Sequence, residues 1–222
     1  MQHWIVWTVL ALAGSAFAQP VRIARPPLFL KEEWKQVPSG GEHPATQAAV
    51  SNPDLELSLY GIDSKDIQLT GEARVENNPI HIYTGLCTTS CGATLRDKNN
   101  YVDLTVLGRV RWVIKGSGFH RAQPLVKLAD GTWLVGDHTD GSSADWLVNE
   151  FSIPDVRWLK IDPVKLLPKG LWVEKLDLSK VDEIGFVDLM AGGQHGPGGY
   201  VDVARIEVYG KPVKRDSSAK AQ

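Results

Sequence analysis

Two aspartates, Asp188 and Asp202, flank a glycine-rich loop, "MAGGQHGPGG" (190–199), with His195 at its middle. Strand alternation in 200–209 groups Asp202 with Ala204, Ile206 and Val208, the apolar face, and so predicts that Asp202 points inward at the edge of the core. In 183–189 Asp188 shares a face with Ile184 and Phe186. An inward carboxylate costs free energy unless it is hydrogen-bonded or bound to a cation. Hard oxygen donors suit Ca²⁺, which takes six to eight of them, some from backbone carbonyls. The pair Asp188 and Asp202 is therefore a candidate metal site, and His195 a candidate ligand contact. The competing expectation is a plain connection, in which Gly and Pro allow the bend and each Asp caps backbone N–H groups.

A second polar cluster is "GDHTDGSSADW" (136–146), with Asp137, His138, Asp140 and Asp145 in one loop and Trp146 at its end. The spacing does not match a D-x-D-x-D-G calcium loop. These side chains could hydrogen-bond sugar hydroxyls, or they could form a solvated loop of Asx-turns. Trp133 and Trp146 are candidate platforms for the C–H face of a sugar, although Trp side chains also fill sandwich cores. Trp112 shares a face with Val110 and Ile114 and is expected in the core. Cys87 and Cys91, the two cysteines, are expected to form a local disulfide in an oxidising compartment. The alternative, metal ligation, finds no second Cys or His pair at zinc spacing.

Several chemistries leave no trace in the chain. There is no G-x-S-x-G elbow, H-E-x-x-H pair, P-loop or E-x-D-x-x-E run. The net charge of −2 comes without the basic patches that hold a phosphate backbone, so nucleic acid is not an expected partner.

The elements that must position these residues read as strands. Short alternating apolar runs separated by turn residues occur at 55–61, 79–85, 109–116, 124–129, 132–136, 145–153, 156–162, 183–189 and 200–210. "ADGT" (129–132) is a tight-turn signal. Helical periodicity is confined to a turn or two in "GEHPATQAAV" (41–50). "DLTVLGRVRWV" from Asp103 and "DLSKVDEIGFV" from Asp177 repeat one device, an Asp–Ser/Thr turn with a Leu anchor leading into a strand. The expected fold is all-β, a single β-sandwich of the jelly-roll kind. Residues 1–18 read as a signal peptide ending Ala16-Phe17-Ala18, with an apolar run too short to span a bilayer. Residues 19–27 read as a linker, 28–213 as the domain and 214–222 as a disordered tail. The expected location is secreted or periplasmic.

"DLSKVDEIGFVDL" followed by "GGYVDVARIEVYG" resembles the closing two strands of galactose-binding-like jelly-roll domains, which include carbohydrate-binding modules and CIA30-type domains. "YVDLTVLGRVRWVIKGSGF" is similar to a middle strand of the same fold. "KLADGTWLVGD" and "KVDEIGFVDLM" look like segments of secreted bacterial proteins of this size. The resemblance covers roughly half of the domain. It implies the fold, sugar binding as its commonest use, and a structural Ca²⁺ near the last strand, which favours Asp202 over Asp188.

Three functions are in play. The first is a non-catalytic, secreted domain that binds an oligosaccharide or a cell-envelope glycan. The second is a glycoside hydrolase-like enzyme on a concanavalin-like jelly roll, of the 3-keto-disaccharide hydrolase type, which needs clustered carboxylates. The third is a structural envelope protein without a small ligand, which predicts a large apolar patch for a partner.

Overall fold

The computed structural model describes residues 25–36, 43–190 and 198–215. The expected signal peptide, residues 19–24 of the linker, His195 and residues 216–222 of the tail lie outside the described residues. Sixteen strands are described. They are β1 (Leu28–Glu33), β2 (His43–Pro44), β3 (Leu55–Tyr60), β4 (Gln68–Thr70), β5 (His81–Tyr83), β6 (Cys91–Asp97), β7 (Asn100–Asp103) and β8 (Arg109–Gly118). They continue with β9 (Ala122–Leu128), β10 (Trp133–Gly136), β11 (Leu147–Ser152), β12 (Trp158–Asp162), β13 (Leu167–Lys169), β14 (Val181–Asp188), β15 (Gly199–Tyr209) and β16 (Lys211–Lys214). Short 3₁₀ turns supply the remaining regular structure, one of them at Gln47–Ala49 inside the segment with helical periodicity. None of the helices among the described residues is long and apolar enough to cross a membrane.

The strands form two antiparallel sheets. The first runs β11-β8-β15-β5-β4-β2, with β1 also on β15. The second runs β13-β12-β10-β9-β14-β6-β3, with β7 and β16 attached beside β14. One apolar core lies between them. Val110, Trp112 and Ile114 from β8 and Val203, Ile206 and Val208 from β15 meet Ala93, Leu95, Val126, Ile184 and Phe186 from the second sheet. The molecule is the expected all-β sandwich, and Trp112 is fully buried as its strand parity requires.

Sequence devices close the sandwich. The "ADGT" turn joins β9 to β10: Gly131 takes φ +87°, and Leu128 N–H donates to Thr132 O. The two Asp–Ser/Thr devices behave alike. Asp103 accepts from Thr105 N–H and Asp177 from Ser179 N–H, and their anchors meet where Leu104 N–H donates to Leu178 O. The folded part extends past the expected edge at 213. Lys214 pairs with Asn100 in the β7–β16 ladder, and Arg215 is salt-bridged to Asp182.

β15 departs from simple alternation in a way that decides the site. Its register against β8 shifts between Val203, opposite Ile114, and Arg205, opposite Val113, so Ala204 is an extra residue. Such a bulge reverses which parity faces which side. Val201 and Val203 face the core before it, and Ile206 and Val208 after it. The expectation that Asp202 shares the core face with Ile206 and Val208 is therefore corrected: Asp202 stands on the outer face of the first sheet.

Candidate functional site

On that outer face the ladder registers place Lys115, Asp202, Tyr83 and Gln68 in one row across β8, β15, β5 and β4. Tyr200, two residues before Asp202, and His81, two before Tyr83, project on the same side. The reason is local: Ile82, between His81 and Tyr83, and Val201, between Tyr200 and Asp202, are buried in the core, which forces their neighbours outward. Trp146 arrives from the β10–β11 loop and meets the His81 ring edge-on at 5.0 Å. Its indole N–H donates to Asn77 O at 3.3 Å, which ties it to the β4–β5 loop. These residues surround a cavity of about 240 Å³, closed by Thr70, Asn77 and Asn78. Tyr83 and Tyr200 lie with ring centroids 5.5 Å apart, tilted by 53°.

The polar floor is unusual for its burial. Asp202 and His81 are each only 5% exposed. His81 Nδ1 sits 2.7 Å from Pro79 O, so it carries the proton and donates to that carbonyl. The lone pair of the neutral ring is thereby on Nε2, which faces Asp202 Oδ1 at 3.5 Å. That Oδ1 has no hydrogen-bond partner among the described residues. Burial pushes the Asp202 carboxyl up to about 8, with Lys115 pulling the other way. Burial also pushes His81 below its ordinary range, opposed by the Pro79 carbonyl and reinforced by Lys115. At neutral pH the floor is thus a carboxylic acid beside an uncharged imidazole, with an ammonium across the ladder.

The other residues singled out in the sequence go elsewhere. Asp188 lies on β14 in the second sheet and is 1% exposed. Its Oδ2 accepts from Thr84 Oγ1 at 2.9 Å and lies 2.6 Å from His120 Nδ1, while Oδ1 accepts from Met190 N–H at 3.1 Å. Asp188 and Asp202 stand on separate sheets, Asp188 already serving three protein donors. No cluster of three or more His, Cys, Asp or Glu fit for a metal occurs among the described residues. In the other loop, Asp137 pairs with Arg157 at 2.8 Å. Asp140 accepts from Trp112 Nε1 at 2.6 Å and from His138 at 3.0 Å. His138 in turn stacks on Phe151 at 3.9 Å. That loop secures the core tryptophan.

Trp133 lies on the outer face of the second sheet, edge-on to Tyr60 at 4.5 Å and beneath Lys127. It cannot share a pocket with Asp202. The two loops do leave one end of the sandwich, because Ala122 pairs with Asp188 on one side and Asp140 on the other. Cys87 and Cys91 form the expected disulfide.

Of the sequence candidates, the structure brings Trp146 and Asp202 together. His81, Tyr83, Lys115 and Tyr200 were missed. For His81 and Tyr83 a local signal is present in the alternation of "PIHIYTG", which puts them on one side and Ile80 and Ile82 on the other.

No protein-family model and no curated protein matches the chain. Solved structures do match. The family 11 carbohydrate-binding module of a cellulosomal cellulase of Clostridium thermocellum is 16% identical, with 84% of this chain and 95% of that chain covered at a TM-score of 0.43. The same organism's family 11 module in complex with a β-1,3-1,4-mixed-linked tetrasaccharide is also 16% identical, with 84% and 99% covered at a TM-score of 0.40. An exo-β-agarase is 10% identical, with 74% of this chain but 24% of that chain covered, at a TM-score of 0.41.

Proposed function

We propose that the protein is an exported, non-catalytic carbohydrate-binding domain that holds a saccharide on the outer face of its first sheet. The observation that carries this reading is the ring of Trp146, Tyr83 and Tyr200 around a buried Asp202 whose Oδ1 is unpartnered. Sugars present apolar C–H faces and a rim of hydroxyls. Aromatic rings with a polar edge suit the first, and Asn77, Asn78, Thr70 and the floor residues suit the second. Pockets that orient small ligands combine such apolar walls with a few fixed polar groups.

A holding role fits the composition of the floor better than hydrolysis does. Glycoside hydrolysis of the usual kind sets two carboxyl groups about 5–10 Å apart across the scissile bond. Here Asp202 is surrounded by His81, Lys115 and two tyrosines. Export follows from the N-terminal reading of residues 1–18 and agrees with the Cys87–Cys91 disulfide.

The test is thermal unfolding and titration calorimetry against a panel of oligosaccharides. A saccharide at about 100 times its Kd adds roughly 2.7 kcal/mol to stability, a visible rise in midpoint. Trp146→Ala is expected to cut the rise to about half or less without unfolding the protein. Binding that survives both Trp146→Ala and Tyr200→Ala would move the sugar off this face. Release of new reducing ends during incubation would overturn the non-catalytic reading.

A further inference from the structure

We propose that the pocket takes an acidic saccharide, with a uronate carboxylate seated between the Lys115 ammonium and the free Oδ1 edge of Asp202. The inference rests on the sugar-binding reading above and names the class of sugar.

The argument begins with the charges that face the cavity. From β8 comes Lys115, a cation with three donors and no acceptor. From β15 come Asp202 and Tyr200, and from β5 His81 and Tyr83. The β4–β5 loop and the β10–β11 loop add Asn77, Asn78 and Trp146, which carry no charge. Asp202 is the carboxyl group among these described residues, so its protonation sets the sign of the site.

The geometry and burial of Asp202 make it a donor rather than a counter-ion. Its Oδ1 is buried without a hydrogen-bond partner and faces a nitrogen at 3.5 Å, outside ordinary hydrogen-bonding distance. Its carboxyl is pushed up to about 8 by burial, despite Lys115. A neutral Asp202 leaves Lys115 as the net charge of the cavity at neutral pH. A half-buried cation lining a cavity attracts an anion, and an orphaned carboxylic acid O–H is satisfied best by a charged acceptor.

A neutral hexose offers hydroxyls to both groups but leaves the ammonium uncompensated. A uronate supplies the missing charge and a strong acceptor in one group, while its ring retains the C–H face for Trp146 or Tyr200. The Tyr200 hydroxyl and the Asn77 and Asn78 amides face the cavity where the sugar hydroxyls would lie.

The experiment is titration calorimetry of the full chain with oligogalacturonate, oligomannuronate and oligoglucuronate, each beside its carboxyl-reduced neutral counterpart. At pH 6.5 at least one uronate is expected to bind about tenfold or more tighter than its reduced form. Lys115→Met should erase that preference, so that the uronate and its reduced form bind the variant with the same Kd. Above pH 8 the uronate Kd should rise about tenfold per pH unit as Asp202 ionises beside the ligand, and Asp202→Asn should flatten that rise. Unfolding scans of both variants show that they are folded. Equal or tighter binding of the reduced sugars overturns the inference and leaves the carbohydrate-binding reading standing. Binding of neither form by a folded protein, across this panel and neutral glucans, overturns both.

Discussion

His81 Nε2 faces Asp202 Oδ1 at 3.5 Å, with the opposite nitrogen of the same ring held by Pro79 O at 2.7 Å. The Pro79 carbonyl thus fixes the imidazole tautomer from behind and turns a lone pair, not an N–H, towards the acid. Asp202 therefore finds no protein donor for a negative charge at that oxygen, and its raised pKa follows from this arrangement together with its burial.

Stability should fall as pH rises. The folded-state value of about 8 lies above the ordinary 3.8, so between these values the folded state holds a proton that the unfolded state has released. This contribution is favourable at pH 4, declines across the window, and is fully lost above about pH 8. The loss is on the order of 4–7 kcal/mol. Chemical denaturation of wild type and Asp202→Asn from pH 4 to pH 9 measures it. The variant should hold its stability over the range where wild type declines, and parallel curves would show that Asp202 ionises normally.

Trp146 should matter for affinity more than for folding. It bridges two loops over the cavity and is tied down by one hydrogen bond to Asn77 O. Trp146→Ala is expected to weaken sugar binding about tenfold or more, as removal of an aromatic contact does, while shifting the unfolding free energy by less than about 1 kcal/mol. Quenching of tryptophan fluorescence on titration, absent in the variant, is the corresponding optical signal.

Asp140 should behave in the opposite way. Its Oδ2 is the acceptor for the buried Trp112 indole N–H, so Asp140→Ala strands that donor. The cost expected is about 1–3 kcal/mol with sugar affinity unchanged. A matching loss of affinity would connect the 137–145 loop to the ligand after all.

The disulfide closes a small loop, and the chain-entropy model gives it about 2 kcal/mol. Replacing both Cys87 and Cys91 by Ser should lower the midpoint by roughly 4–8 °C in a domain of this size. Loss of folding altogether would mean that these buried residues hold more than their own loop.

Calcium chloride and EDTA should give the same unfolding midpoint. Asp188 is occupied by Thr84, His120 and Met190 N–H, and Asp202 lies on the other sheet. A Ca²⁺-dependent rise would restore the cation site that the flanking aspartates suggested.

The strands that carry clean alternation were legible in the sequence, as were the "ADGT" hairpin and the core position of Trp112. β6 was not, because "CGATLRD" is built from small and charged residues whose burial comes from lying between β14 and β3. The site was half legible. Asp202 and Trp146 drew attention by type, whereas His81, Tyr83, Lys115 and Tyr200 acquire meaning only when β5, β8 and β15 become neighbours. Local pattern carries no information on that pairing, and Tyr83 meets Asp202 across more than a hundred residues of chain. Asp202 itself was assigned to the wrong face because alternation assumes an unbroken count of two, and Ala204 breaks it.

That extra residue gives β15 a double reading frame. Before Ala204 the even-numbered side chains stand on the outer face of the first sheet; after it they address the core. Deleting Ala204 would force a choice: either Tyr200 and Asp202 turn into the apolar interior, or Ile206 and Val208 turn out of it. The pocket face and the hydrophobic face are thus written on one strand in two phases, and a single alanine is the comma between them.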